Sequence, residues 1–214
     1  MQLVLHQYWR SSSSWRVRFA LAWKGLAYET RSIDLLAGDQ RGAEHRANNP
    51  AGYVPCLVVD GRPLGESVAI LEWLEETFPA PPLLPRDAWE RARVRQVVET
   101  VNAGIQPLHN LSVLHAHAAE PEAQRAWARR FLERGLAALE AIVTDIARET
   151  GRDGPYVMGE ALSLADVVIV PQLYQARRFG ADLACCPRVV ALDERIARLD
   201  AAIASSPERQ PDAR

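Results

Sequence analysis

Apolar and polar positions follow two different patterns along the chain, and the change comes near residue 85. Before it, short apolar runs at 3–5 and 54–59 predict buried strands. Residues 15–24 instead carry their apolar side chains at helical spacing, and Gly25 stands where such a helix would stop. Beyond residue 87 the helical spacing continues and strand patterns almost vanish. The chain is therefore predicted to begin with mixed strands and helices and to continue as helices alone.

The first part is predicted to run β-α-β, a connection, and then β-β-α, which makes a small mixed sheet with helices against it. Strands are expected at 3–5, 28–35, 54–59 and 62–64, and helices at 15–24 and 67–78. Asp60-Gly61 is a strong hairpin signal, and Ser67 is a suitable N-cap. Residues 38–48 are polar and predicted to be irregular or weakly helical.

The second part is predicted to hold four helices, at 87–118, 121–150, 163–178 and 187–204. Ser163 and Asp166 have the spacing of a capping box, with aspartate in place of glutamate. The polar tail at 205–214 is expected on the surface. Prolines at 79, 81, 82 and 85 cannot continue a helix and indicate an inter-domain linker. We therefore expect one domain at 1–82 and an all-helical domain at 88–214.

Composition narrows the class of protein. Hydrophobic residues make up 48% of the 214 and the formal net charge is −2, which favours a packed core and argues against a nucleic-acid or anionic-membrane binder. Three cysteines without metal-ligand spacing predict neither a disulfide framework nor a metal site. No apolar stretch is long enough to cross a bilayer, and the start of the chain lacks the features of a signal peptide. A cytoplasmic protein is expected.

The stretch with the most unusual chemistry is 10–18, Arg-Ser-Ser-Ser-Ser-Trp-Arg-Val-Arg. Its serines lie at a predicted helix N-terminus, where backbone N–H groups without partners and the helix dipole favour anions. One hydroxyl would suffice as a cap, so the run also fits a site for a phosphate, carboxylate or thiolate. A serine nucleophile is the weaker alternative, because no G-x-S-x-G turn occurs and no histidine is paired with these serines.

A second set of polar groups follows the third predicted strand. A cis bond between Val54 and Pro55 would leave the Val54 backbone free to pair with an extended peptide. Glu66 and Ser67 open a helix, where they offer a carboxylate for an amine and a hydroxyl for a carboxylate. Taken alone, these residues are better explained by a strand edge and an ordinary helix cap.

Taken together, these stretches resemble a known family. The run at 10–18, Asn49-Pro50 with Val54-Pro55, and Glu66-Ser67-Val68-Ala69-Ile70 resemble a glutathione transferase N-terminal domain. The Ser-Ser-x-Ser-x-Arg-Val-Arg form is similar to the zeta class, which includes maleylacetoacetate isomerase. Residues 105–114, 165–172 and 210–212 carry the same likeness, which spans essentially the whole chain.

The resemblance implies an α/β thioredoxin-like N-terminal domain plus an all-α C-terminal domain, paired into a homodimer that binds glutathione between its domains. It implies that Ser11, with Ser12 beside it, holds the glutathione sulfur as thiolate. Val54, next to Pro55, would bind the cysteinyl backbone of glutathione. Glu66 and Ser67 would bind its γ-glutamyl end, and Gln40 would bind its glycyl end. Helical-domain positions that face the site would be Gln106, Asn110 and Ser112.

The implied reaction is the cis–trans isomerisation of maleylacetoacetate in aromatic amino-acid breakdown, with glutathione regenerated. The small acidic maleyl substrate makes Arg10 and Arg178 candidate carboxylate clamps. Alternatives are a maleylpyruvate isomerase, a transferase acting on α-haloacids, and a non-catalytic glutathione-binding module. Two departures from the class are Ser13, where cysteine is frequent, and Glu66, where glutamine is frequent.

Overall fold

The computed structural model describes residues 1–214, and the chain divides into two units by its internal contacts. Unit 1 comprises Met1–Pro81 together with Leu199–Arg214, and unit 2 comprises Pro82–Arg198. The boundary falls inside the proline-rich stretch that was predicted as a linker. No helix in the chain combines the length and the apolar character needed to cross a membrane.

Unit 1 is built on a four-stranded mixed sheet, as the pattern predicts. The strands are β1 (Leu3–Gln7), β2 (Glu29–Ser32), β3 (Cys56–Val59) and β4 (Arg62–Gly65). Their order is β2-β1-β3-β4, with β1 parallel to β2 and the other pairs antiparallel. β2 is shorter than the predicted 28–35 and mostly exposed, as suits an edge strand.

Three helices accompany this sheet: α1 (Ser12–Trp23), α2 (Ala43–Asn48) and α3 (Ser67–Thr77). α1 begins three residues earlier than predicted, so part of the serine run forms its first turn. α2 occupies the segment predicted as irregular or weakly helical, after a 3₁₀ turn at Asp39–Arg41. α3 packs against α1 through its apolar face, which includes Ile70, Leu71 and Leu74.

Unit 2 is all-helical, with α4 (Ala88–Asn102), α5 (Leu111–His117), α6 (Pro121–Thr150), α7 (Leu164–Phe179) and α8 (Pro187–Ile196). α7 is buried along most of its length and contacts α4, α6 and α8. The helix predicted at 87–118 is interrupted after α4, because Pro107 lies in a 3₁₀ turn, Gln106–His109, that separates α4 from α5. The prediction of one continuous helix there was wrong.

The predicted capping box at the start of α7 is confirmed. The backbone N–H and the hydroxyl of Ser163 both donate to Asp166 Oδ2 at 2.8 Å, and the N–H of Val157 donates to Oδ1 at 2.8 Å. Asp166 is fully buried, and this burial raises the pKa of its carboxyl to about 6 against the lowering effect of those hydrogen bonds. One carboxylate thus ties the helix start to the preceding loop.

The end of the chain packs against α1. The helix predicted at 187–204 splits, because α8 ends at Ile196 and a separate helix, α9 (Asp200–Ser205), follows. Trp15 Nε1 donates to the Ser205 hydroxyl at 3.0 Å, and Arg18 Nε donates to the Ser205 carbonyl at 2.9 Å. The predictions grouped 199–214 with the helical domain and placed 205–214 on the surface. In the structure the whole segment belongs to unit 1. Ser205, Pro207 and Gln210 are buried, whereas the rest of 205–214 is exposed or half-buried, as predicted.

Lys24, the chain's only lysine, is buried where α1 ends. Its ammonium group bonds Glu75 Oε2 at 2.7 Å, the Phe78 carbonyl at 2.7 Å and the Pro81 carbonyl at 3.0 Å. All three donors of the ammonium are therefore satisfied. They join α1 to the end of α3 and to Pro81, where the N-terminal segment of unit 1 ends.

Candidate active site

The sheet of unit 1 brings three of the predicted site segments to one end. β1 ends at Gln7, and its neighbour β3 begins at Cys56, which lies opposite His6. Cys56 also pairs with Gly65, the last residue of β4. The loop to Ser11, the Val54-Pro55 dipeptide and the Glu66-Ser67 dipeptide therefore all lie at the same end of the sheet.

Ser11 is the N-cap of α1. Its hydroxyl oxygen accepts from the N–H of Ser14 at 3.2 Å, and its own N–H donates to the Tyr8 carbonyl at 3.0 Å. Because the oxygen already accepts, the hydroxyl hydrogen can be donated to a further acceptor. Ser12 follows as the buried first residue of the helix. No acidic side chain occupies this first turn, so nothing there offsets the positive end of the helix dipole.

The Val54–Pro55 peptide bond is cis. Val54 lies outside the ladders of β3, and no backbone hydrogen bond of the loops uses its N–H or carbonyl. The carbonyl of Tyr53, just before it, accepts from His45 Nε2 at 2.8 Å and from Asn49 Nδ2 at 2.9 Å. The hydrogen bonds from His45 and Asn49 thus fix the loop, and the Val54 backbone stays available for an extended ligand.

Gln40 lies in the 3₁₀ turn Asp39–Arg41, beside the same loop. A Cβ added at Gly52 would come within 3.0 Å of the Gln40 carbonyl oxygen, and Gly52 has a φ of +68°. Both the close approach and the left-handed backbone therefore favour glycine there. The structure brings Gln40 together with the Val54 loop.

Glu66, and not Ser67, occupies the N-cap position of α3, which corrects the prediction. Its φ of +64° is unusual for a residue with a side chain and is typical of strained functional positions. Ser67 is the buried first residue of the helix, and its hydroxyl accepts from a guanidinium nitrogen of Arg16 at 3.3 Å. Arg16 therefore links the helix that begins beside Ser11 to the helix that begins beside Glu66.

Arg16 and Arg18, two arginines of the 10–18 run, were not predicted to take part in the site, yet both are fully buried. Arg18 donates to the carbonyls of Tyr8 and Trp9, at 3.5 and 2.9 Å, and to the side chain of Gln7. Burial lowers the pKa of Arg18 to about 10. Arginines inside an apolar helix stretch are the signal that could have found them, because a buried cation requires many acceptors.

The unit 2 candidates lie around the break between α4 and α5. Gln106 Nε2 donates to Asn110 Oδ1 at 2.7 Å, across the 3₁₀ turn Gln106–His109. Asn110 is the N-cap residue of α5, and Ser112 is exposed in its first turn. The break in the predicted helix therefore places three polar side chains on one short segment.

Arg178 is exposed near the end of α7. It bonds Gln175 at 3.2 Å and lies over the Phe179 ring at 5.0 Å. His109 joins this region to the α5 segment, because it hydrogen-bonds Gln172 at 3.2 Å and its ring lies 5.7 Å from that of Phe179. His109 was not predicted to take part. Arg10, in unit 1, lies over the Trp9 ring at 5.1 Å.

Known proteins share both the sequence and the fold. Residues 5–82 match the family described as glutathione S-transferase, N-terminal domain. The maleylacetoacetate isomerase of Rattus norvegicus is 44% identical over 98% of this chain and 94% of its own. A maleylacetoacetate isomerase of Anaeromyxobacter dehalogenans with GSH bound in its active site is 52% identical, with a TM-score of 0.87 and coverage of 100% and 98%.

A second structure of that bacterial isomerase holds dicarboxyethyl glutathione and citrate in the active site. A bacterial maleylpyruvate isomerase of the zeta class superposes with a TM-score of 0.93 at 36% identity, covering 99% of this chain and 100% of its own. Likeness at this level extends over both units. The chain belongs to the zeta class of glutathione transferases, in the family of the maleylacetoacetate isomerases.

Proposed function

We propose that the protein isomerises maleylacetoacetate to fumarylacetoacetate with glutathione as a regenerated cofactor. The observation that carries the proposal is the position of Ser11, a helix N-cap at the sheet end where Val54 and Ser67 also lie. Similarity to maleylacetoacetate isomerases along the whole chain supports the choice of reaction.

The residues of unit 1 fit the parts of the tripeptide. The unbonded N–H and carbonyl of Val54, next to Pro55, suit the cysteinyl backbone. Ser67 already accepts from Arg16, so its hydroxyl hydrogen is available to a carboxylate of the γ-glutamyl end. Glu66 offers its carboxylate to the ammonium group, and Gln40 serves the glycyl end.

Ser11 activates the sulfur. Bound glutathione supplies a thiolate that adds to the cis double bond and leaves after rotation about the resulting single bond. Ser11 lowers the thiol pKa by donating its hydroxyl hydrogen to the sulfur, because a hydrogen bond to the charged form stabilises that form. The amides of the first turn of α1 and the Ser12 hydroxyl add partial positive charge beside it.

Arginines bind the carboxylates of the substrate in this proposal. Arg10 and Arg178 each lie over an aromatic ring, which orients a planar guanidinium for two-point binding of a carboxylate. Within unit 2, Gln106 donates to Asn110, and Ser112 is exposed in the first turn of α5; these are the further polar groups of the proposal. The ligands of the Anaeromyxobacter enzyme, dicarboxyethyl glutathione and citrate, are themselves polycarboxylates, which supports an acidic substrate.

A maleylpyruvate isomerase is the second candidate, because a bacterial enzyme of that activity matches the fold with a TM-score of 0.93, against 0.87 for the Anaeromyxobacter isomerase. Sequence identity favours maleylacetoacetate, at 52% and 44% against 36%. Action on α-haloacids and a non-catalytic glutathione-binding role remain further alternatives. We place the enzyme in the cytoplasm as a homodimer. Its three cysteines are free thiols, in keeping with that compartment.

The experiment that tests the proposal assays both maleyl substrates side by side, with and without glutathione, by the loss of their absorbance. We expect glutathione-dependent loss with both and a higher kcat/KM for maleylacetoacetate. A higher value for maleylpyruvate would transfer the assignment to the second candidate. Glutathione binding without turnover of either substrate would contradict an isomerase.

A further inference from the structure

A buried histidine stands behind the loop that carries Val54. We propose that His45 is a positioning residue, which fixes the peptide unit between Tyr53 and Val54 and so aims the Val54 N–H at glutathione. The inference rests on the proposed function, because it assumes that Val54 pairs with the tripeptide. It assigns a role to a side chain that touches neither glutathione nor the substrate.

The hydrogen bond defines the state of the histidine ring. His45, on α2, is 3% exposed, and its Nε2 lies 2.8 Å from the Tyr53 carbonyl oxygen. A carbonyl can only accept, so Nε2 must carry the hydrogen. Nδ1 is buried and has no hydrogen-bond partner. The bond to Tyr53 is therefore the one hydrogen bond that the His45 ring makes.

The planarity of the peptide transmits this contact to Val54. The Tyr53 carbonyl and the Val54 N–H belong to the same peptide unit, and the bond between these residues is not among the cis bonds of the chain. In a trans peptide the C=O and N–H point in opposite directions within one plane. Fixing the carbonyl towards His45 therefore points the Val54 N–H away from the protein side of the loop.

Two donors share the task, and they differ in what else they do. Asn49 Nδ2 also bonds the Tyr53 carbonyl, at 2.9 Å, but Asn49 Oδ1 accepts from the Ala51 N–H at 3.3 Å. Loss of Asn49 would therefore change the path of the loop itself. Loss of His45 would remove a donor and leave that turn in place, so His45 is the better residue to test.

His6 supplies a matched control. Its ring lies 5.8 Å from that of His45, it is buried to a similar degree, and it makes no hydrogen bond to the loop. Replacing either histidine with leucine removes a buried ring from the same cluster. Only the His45 substitution also removes the donor to Tyr53. A general loss of packing would affect both variants alike.

The test compares His45→Leu, His45→Gln and His6→Leu in the full-length protein, by calorimetric titration with glutathione and by isomerase kinetics. We expect His45→Leu to raise the Kd and the KM for glutathione about five- to tenfold, as for one lost hydrogen bond, with kcat at saturating glutathione within about twofold. The amide of glutamine can donate from nearly the position of Nε2, so His45→Gln should restore most of the affinity. His6→Leu should leave it unchanged.

Unchanged affinity in His45→Leu, an equal loss in His6→Leu, or no rescue by glutamine would each overturn the proposal. If His45→Leu does not fold, as judged by circular dichroism, His45→Met replaces it and the same comparison decides. Binding and turnover are measured separately, so the two proposals can fail separately. A wild-type protein that binds glutathione without isomerase activity would contradict the proposed function, while the binding titrations would still decide the role of His45.

Discussion

Ser11 combines two tasks in one hydroxyl group. As the N-cap of α1 its oxygen accepts from the backbone, and in the proposed reaction its hydrogen stabilises the glutathione sulfur. The neighbouring serines are not equivalent to it. Ser12 and Ser14 are buried within the first turn, and Ser13 is only half-buried there. Position relative to the helix end therefore separates the members of a run that looks uniform in the sequence.

Ser11→Ala is expected to lower kcat/KM by about ten- to a thousandfold, the range for one lost activating hydrogen bond. Without the donor the pKa of the bound thiol rises, so the acid limb of the pH–rate profile should move to higher pH. The measurement is kcat/KM as a function of pH. Ser13→Ala is the matched control and should keep activity within about twofold of wild type. Equal activity in the two variants would shift the role to Ser12 or to the backbone amides.

Asp166 gives a prediction about pH and stability. Burial raises the pKa of its carboxyl to about 6 in the folded chain, against about 4 in the unfolded chain. Because the folded chain binds this proton more tightly than the unfolded chain, protonation of Asp166 raises the free energy of unfolding. That contribution is complete below about pH 4 and is lost as the pH rises through about 6. Urea unfolding of wild type and Asp166→Asn should show the wild-type free energy falling relative to the variant by up to about 3 kcal/mol over that range. If the wild-type protein instead gains stability relative to Asp166→Asn as the pH rises, the hydrogen bonds from Val157 and Ser163 outweigh the effect of burial on this carboxyl.

At the scale of elements, features that depend on neighbouring residues were predicted from the sequence more completely than features that depend on distant contacts. The Asp60-Gly61 turn, with φ of +47° and +80°, the capping box of α7 and both ends of α6 all follow from nearby residues. Breaks in the helical part were underestimated, although Gly104 and Pro107 signal one of them. In the candidate site, the helix start at the serine run and the cis bond before Pro55 were expected from the sequence, and the structure has both. The role proposed for His45 could not be predicted from the sequence. It depends on α2 packing against the loop that carries Tyr53 in the folded chain.

Gly135, inside α6, shows packing overriding helix propensity. Alanine normally favours a helix over glycine by about 1 kcal/mol. Here a Cβ would lie 2.4 Å from Ile105 Cγ1 and 2.8 Å from its Cδ1, and Ile105 is buried directly before Gln106. We expect Gly135→Ala to lower the free energy of unfolding by about 1–3 kcal/mol. In an Ile105→Ala background, which lacks both atoms, urea unfolding should show the same substitution to be neutral or stabilising. A stabilising effect with Ile105 present would contradict the clash.

At the scale of the whole molecule, the segment 199–214 completes unit 1. A chain ending at Arg198 lacks the Ser205 carbonyl that accepts from Arg18, and it uncovers the side of α1 that α9 contacts. We expect hydrogen exchange to show faster exchange along α1 and unchanged protection along α6 and α7. A chain lacking only 212–214 is the control. It loses a 3.4 Å hydrogen bond from Gln7 to Asp212 and an exposed Arg214–Asp34 ion pair. These interactions contribute little to stability, so α1 should stay protected from exchange. Full protection of α1 in the longer truncation would show that the segment is dispensable.

The single lysine has a practical consequence for labelling. With Lys24 enclosed by Glu75 and two carbonyls, no lysine side chain is accessible in the folded chain. An amine-reactive ester should therefore leave Lys24 unmodified while the chain is folded. Modification of Lys24 requires the chain to open, so the rate at which the peptide carrying labelled Lys24 accumulates in a mass spectrum measures how often the chain unfolds.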